Sequence, residues 1–197
     1  DDDQTVHALG NAGTQSACLW EFLATGAMSK HLHAGRAAEA GVVAAELAAE
    51  GFTGPPAILE GPQGFFAGAC PDPDPGAVLR APDAPWQVHL SSIKPWPSCR
   101  HTHPSIDAAL ELSGKIDPAS IAAIDISTYQ AAVDVCDRVA PDTPYEAKFS
   151  LQHCVTSALA KGSVAFESFE ADQRAEMASL RAISTTRAGD PYRGAYP

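Results

Sequence analysis

Two groups of residues in this chain could do chemistry together. The first is Lys30-His-Leu-His-Ala-Gly-Arg36. The second is Lys94-Pro-Trp-Pro-Ser-Cys-Arg-His-Thr-His103. Each places a lysine, an arginine and histidines at the border of an apolar element, while the chain as a whole carries a net charge of -11. Cations gathered at loop-to-helix junctions suggest an anion site, because a helix N-terminus adds partial positive charge and unpaired N–H groups. In the first group Lys30, His33 and Arg36 are candidate ligands for a carboxylate or phosphate. A solvated surface charge is the alternative for Lys30, and a satisfied core histidine for His33.

In the second group Pro95 and Pro97 stiffen the loop after Lys94. Pro104 reads as the first residue of a helix, which puts His103 near its cap. The positive end of a helix disfavours imidazolium, so a neutral, base-competent histidine is expected there. Cys99, His101 and His103 alternate and could face one way to hold a metal. Against that, the chain has no CxxC or HxxxH, and Lys94 and Arg100 would repel a cation. Cys99 as a nucleophile lacks an identifiable orienting group. Asp125, Asp134 and Asp137 read as solvated charges and Lys148 as a surface residue. Tyr129 closes a strand and packs or points at a site.

These residues need elements to hold them. The pattern predicts a helix over 4–25, rich in small residues that imply close packing against another helix. A second helix is expected over 34–50, with Arg36, Glu39, Glu46 and Glu50 on one stripe and apolar residues elsewhere, hence an interior helix. Gly51 ends it, and Thr53–Pro56 forms a turn. A short helix and a Gly-rich loop are expected over 57–67. Cys70-Pro-Asp-Pro-Asp-Pro75 is the strongest breaker and is taken as the domain boundary, separating residues 1–70 from 76–197. Beyond it, 86–93 alternates as a strand. Residues 104–112 read as a helix with Ile106, Ala109 and Leu110 inward. Residues 121–129 form a second strand with Ile124, Ile126 and Thr128 on one face. Thr143-Pro-Tyr-Glu146 is a capping box opening a helix that ends at Lys161-Gly162, and a last helix covers Asp172–Leu180. The fold class is α+β.

Composition narrows the function. With 197 residues, 45% apolar and 19% charged, the chain is globular. No apolar run is long enough for a bilayer, so no membrane role is expected. The acidic balance argues against nucleic acid as a partner but allows a small anion. Five cysteines without CxxC spacing point to a reducing, cytoplasmic compartment, with Cys18 and Cys154 as buried free thiols. The chain begins Asp1-Asp-Asp-Gln and stops at Arg193-Gly-Ala-Tyr-Pro197, which reads as one piece of a larger or split polypeptide.

At these residues the sequence resembles the MmgE/PrpD family of 2-methylcitrate dehydratases, cis-aconitate decarboxylases and iminodisuccinate epimerases. The matching stretches are Ser29–Gly41, Glu50–Pro55 with Leu59–Gly61 and Gly64-Phe65, Lys94–Cys99 with His103, Ile106 and Asp107, and Ala147–Gln152. The resemblance implies part of an all-helical domain followed by a smaller α/β lid, usually in a homodimer, with no cofactor. It implies a lyase, dehydratase-like, or an isomerase, acting on a small di- or tricarboxylate by proton transfer next to a carboxylate. Lys30 matches the helical-domain lysine and Lys94 the lid lysine, both facing substrate in such enzymes. Lys94, His101 and His103 are then the catalytic candidates, and Lys30, His33, Arg36, Arg100 and Cys99 the substrate-binding ones. Cys99 stands where the decarboxylase branch has a histidine, which counts against a decarboxylase. The resemblance spans the middle of a family member, so the remainder of the polypeptide or a second chain is expected to complete the site. A truncated, non-catalytic binding module is the alternative.

Overall fold

Asp1 caps the first helix through a reciprocal pair of bonds with Gln4, and the chain then folds as two compact units, Asp1–Ser91 and Ser92–Pro197. The computed structural model describes residues 1–17, 19–25, 27–78, 84–193 and 195. Cys18 lies outside the described residues, as do Gly194, Tyr196 and Pro197.

In the first unit helix α1 covers Asp2–Thr14 and α2 only Phe22–Thr25, not one helix over 4–25. The Thr14 hydroxyl bonds back to the Gly10 carbonyl (2.9 Å) and the Gln15 amide to that of Asn11 (3.1 Å). Side chains that bond to nearby backbone in this way compete with the helix ladder. Helix α1 packs against another helix, as its small residues implied, and Gly10 and Gly13 also admit a loop. A Cβ on Gly10 would lie 2.7 Å from the backbone of Pro55, and one on Gly13 would lie 2.4 Å from Ile58. Asn11 and His7 hold the same loop by bonds to the carbonyls of Phe52 (3.2 Å) and Gly54 (3.1 Å).

Helix α3 runs Lys30–Ala49 and packs against α1. Gly51, at φ +86°, ends it. Bonds from Gly51 N to Ala48 O and from Phe52 N to Leu47 O complete the stop. The expectation of an interior helix is corrected: only Ala40, Ala44 and Ala48 are buried, while Leu32 is 69% and Val42 61% exposed. A helix buries only the stripe that a partner covers. The short helix expected over 57–67 is displaced to α4, Phe65–Ala69, because Gly61, Pro62 and Gly64 interrupt the ladder before it. Residues 86–93 form no strand. Gln87–Leu90 make one 3-10 turn, and Ile93 is 89% exposed. Alternation alone does not make a strand; a strand also needs a neighbour paired with its backbone.

The second unit has the larger core. A 3-10 turn, Arg100–Thr102, leads into α5 (His103–Leu112), which buries His103, Ile106 and Ala109. Strand β1 (Ile124–Thr128) buries Ile124, Ile126 and Thr128 on one face as expected. Helix α6 (Gln130–Cys136) follows. The capping box of Thr143 and Glu146 opens α7 (Pro144–Ala147), but the helix expected to reach Lys161 breaks, and α8 is Leu151–Lys161. Ser150 causes the restart: its Oγ accepts from His153 N at 3.0 Å. The last helical stretch also splits, into α9 (Ala171–Glu176) and α10 (Ala178–Ala182). A strand the pattern did not suggest, β2 (Ser184–Ala188), pairs in parallel with β1, from Ile124–Ser184 to Thr128–Ala188. Its Ser-Thr-Thr-Arg run has no apolar alternation to announce it. Leu151, Phe169 and Ile106 are the largest buried apolar side chains here. A helical first unit and an α/β second unit make the fold α+β. Among the described residues no helix is long and apolar enough to cross a membrane.

Candidate active site

The first unit contributes a cationic helix start. Lys30 is the first residue of α3, not part of a preceding turn, so His31, His33 and Arg36 lie within its first two turns. The Lys30 ammonium stands 5.9 Å from the Phe22 ring centroid, and the half-buried His33 meets the same ring edge-on at 5.3 Å. Phe22 thus packs against both side chains. Arg36 is already engaged, in an exposed ion pair with Glu39 one turn on.

In the second unit the chain between Lys94 and His103 closes on itself. Lys94 Nζ donates to the Ser98 carbonyl (3.4 Å). The Ser98 and Thr102 hydroxyls, both buried, share a 2.8 Å bond, and Thr102 Oγ1 also donates to Cys99 O (2.8 Å). Cys99 N donates to Lys148 O at 2.8 Å, tying this turn to the junction of α7 and α8. That junction carries the Ala147–Gln152 motif, whose polar residues hold backbone. The buried Gln152 accepts from Arg138 N at 3.1 Å, and Ser150 donates to Arg138 O. Lys148 is not a plain surface charge, since its ammonium lies 5.8 Å from both the Phe166 and Phe169 rings.

The two histidines of this segment sit differently. His101 is half-buried, and its Nδ1 lies 2.8 Å from the Tyr129 hydroxyl, with the rings edge-on at 5.6 Å. His103 is 1% exposed. Arg100 Nη1 lies 3.3 Å from its Nδ1, and its Nε2 is buried without a partner. Burial holds His103 below the usual imidazole value. The Ser98 carbonyl opposes that shift, Arg100 and Lys94 add to it, and Asp107 works weakly against it. A neutral ring follows at neutral pH, through burial and the neighbouring cations and not through the helix start invoked for it, and His103 is the first residue of α5 with Pro104 the second.

The thiols here are unreactive in two cases. A hydrogen bond to Cys99 and burial push Cys136 far above the ordinary thiol range, and burial pushes Cys154 up to about 12. Cys70, Cys99, Cys136 and Cys154 form no disulfide. Among the described residues no three His, Cys, Asp or Glu are grouped as metal ligands would be. The Cys99, His101 and His103 alternation instead spends its donors on separate partners: Cys136, Tyr129 and Arg100.

The structure therefore brings Lys94, Ser98, Cys99, Arg100, His101 and His103 into one turn, and places Lys30, His33 and Arg36 on α3 of the other unit. Sequence reasoning did not single out Ser98, Thr102 or Cys136. Tyr129 was visible only as a residue ending a strand. Family models match two stretches of the chain: the MmgE/PrpD N-terminal domain over residues 1–77 and the MmgE/PrpD C-terminal domain over residues 96–197. No curated protein matches the chain.

Proposed function

The chain belongs to the MmgE/PrpD family, and from that premise we propose that it is a 2-methylcitrate dehydratase-like lyase acting on a small di- or tricarboxylate. In this reading residues 1–70 belong to the helical domain and 76–197 to the lid, and a homodimer is the working assembly. Lys30, with His33 and Arg36 near it, and Lys94, with Arg100 and Cys99, receive carboxylates. His101 or His103 serves the proton.

The reaction breaks a C–H bond next to a carboxylate. The proton passes to an imidazole, and the electron pair spreads onto the carboxylate oxygens. Fixed cations are worth most at that moment, because the charge they meet develops during the step. The pair then expels hydroxide from the neighbouring carbon. Hydroxide takes a proton from an acid and leaves as water, and a double bond remains. An iminodisuccinate epimerase-like isomerase would share the first half and return the proton to the opposite face. The observation that carries the proposal is the turn from Lys94 to His103, where two cations and two histidines meet on one short segment, one of those histidines buried and neutral.

The test is nuclear magnetic resonance of di- and tricarboxylates incubated in deuterated water with the full assembly, this chain together with the remainder of the polypeptide or the second chain that completes the site. Deuterium at the carbon next to a carboxylate, with an alkene product, is the expected result. Lys94→Ala should slow it by about 10²–10³, the usual loss of one stabilising donor, and Lys30→Ala should act likewise. Exchange without alkene would favour the isomerase. No exchange with any polycarboxylate would leave a non-catalytic binding module.

A further inference from the structure

The two histidines of the Lys94–His103 turn invite the same role, and their surroundings separate them. A general acid or base must come within hydrogen-bond reach of the proton it moves. His103 offers neither ring nitrogen. A guanidinium can only donate, so the 3.3 Å contact from Arg100 Nη1 makes Nδ1 of His103 an acceptor. Its lone pair is thereby occupied by a group that does not titrate in this range. With Arg100 donating to Nδ1, the proton of the neutral ring sits on Nε2, which is closed to solvent and has no partner; the competing arrangement is Nδ1–H donating to the Ser98 carbonyl, which can only accept. Arg100 is exposed. Among the described residues the bond to His103 is the one hydrogen bond of its guanidinium, so four of the five N–H groups (a count fixed by guanidinium chemistry) remain for a ligand.

We propose that His103 is a positioning residue. Its Nδ1 holds the Arg100 guanidinium as a fork for one substrate carboxylate, and the proton transfer falls to His101. A planar fork pinned at one nitrogen loses little freedom when it closes on a carboxylate, which suits bidentate recognition. This inference rests on reading the turn as the substrate site, but its structural half can be examined without turnover.

Proton–nitrogen correlation spectra of the full chain with isotope-labelled histidine report the ring directly. His103 should show an acceptor Nδ1 and a protonated Nε2 at neutral pH, and Arg100→Met should release it to a mixture of tautomers. A proton on Nδ1, a doubly protonated ring, or a tautomer indifferent to Arg100→Met would overturn the proposal. In turnover, His103→Leu should raise KM for the polycarboxylate by about 10–100-fold, the worth of a hydrogen bond to a charged group, with kcat little changed. His103→Asn, which sets an amide oxygen where Nδ1 stood, should restore most of that loss. A fall in kcat of about 100-fold or more in both variants, with KM unchanged, would make His103 the base instead. If Lys94→Ala and Arg100→Met leave exchange untouched while the spectra show the Nε2–H ring, the substrate-site reading fails and the Arg100–His103 pairing stands.

Discussion

The two units of this chain spend their apolar residues in opposite ways. In the second, Ile106, Leu151, Val155, Phe169 and Met177 are buried together with His103, His153 and Gln152. In the first, the buried apolar side chains among the described residues are Phe22 and the alanines of α3, while Leu9, Leu19, Trp20, Leu32 and Val42 are exposed. The first unit is held by close backbone approach, α1 against the Gly54–Ile58 loop, and the second by side-chain packing around α8. Close approach needs small residues and little area. Packing needs volume, and volume removed from water is what stabilises most.

The comparison can be broken in three places. The largest effect should come from Phe169→Ala, which empties a site only 1% exposed and should cost about 3–5 kcal/mol in urea unfolding. The matching truncation in the first unit, Leu32→Ala, should change stability by less than about 0.5 kcal/mol. Equal losses would refute the contrast.

Acid should act next, and on the second unit. His153 donates from Nε2 to Ser168 O (2.8 Å) and its Nδ1 accepts from Arg181 (3.2 Å). Burial pushes it down to about 4; the Ser168 carbonyl opposes this, and Arg181 and Arg174 add to it. The folded state thus keeps a neutral ring where the unfolded chain protonates near 6.5. The stability this gives is full above about pH 6.5 and is lost as pH falls toward 4, in all roughly 3 kcal/mol. His103, also held low, adds with the same sign. Urea midpoints should drop over that window, and His153→Phe should flatten the drop; an unchanged slope would show that another group carries it.

The smallest effect concerns two glycines of the first unit. Gly10→Ala should cost about 1–3 kcal/mol, because its Cβ meets Pro55 backbone that cannot yield like a side chain. Gly35→Ala, with nothing within 4 Å, should instead gain up to about 1 kcal/mol of helix propensity. Thermal unfolding followed by circular dichroism separates the two signs.

Much of the fold was legible where the governing interaction is local. The Thr143–Glu146 capping box, the stop at Gly51 and the inward face of Ile124, Ile126 and Thr128 all formed as the pattern indicates. The failures have one kind of cause. Trp86–Ile93 alternates but makes a 3-10 turn at Gln87–Leu90, whereas Ser184–Ala188 does not alternate and pairs because the chain returns beside β1. The apolar sides of α3 implied burial, yet only a covered stripe is buried. Of the site, the residue types and their grouping on one turn were readable. The partners were not: Tyr129 reaches His101 across 28 positions, and Lys148 supplies the carbonyl that anchors Cys99.

The sequence by itself determined the stop of α3 at Gly51, the capping box at Thr143–Glu146, the inward face of β1 and the concentration of cations and histidines at Lys30–Arg36 and Lys94–His103, since those depend on neighbours a few residues away. Only the tertiary structure decided that His103 is buried against Arg100 while His101 keeps a half-exposed ring on Tyr129. Two histidines two positions apart are equivalent in sequence. Burial and partner make them chemically different, because the charge a ring carries and the atoms it can reach depend on what the rest of the chain packs around it.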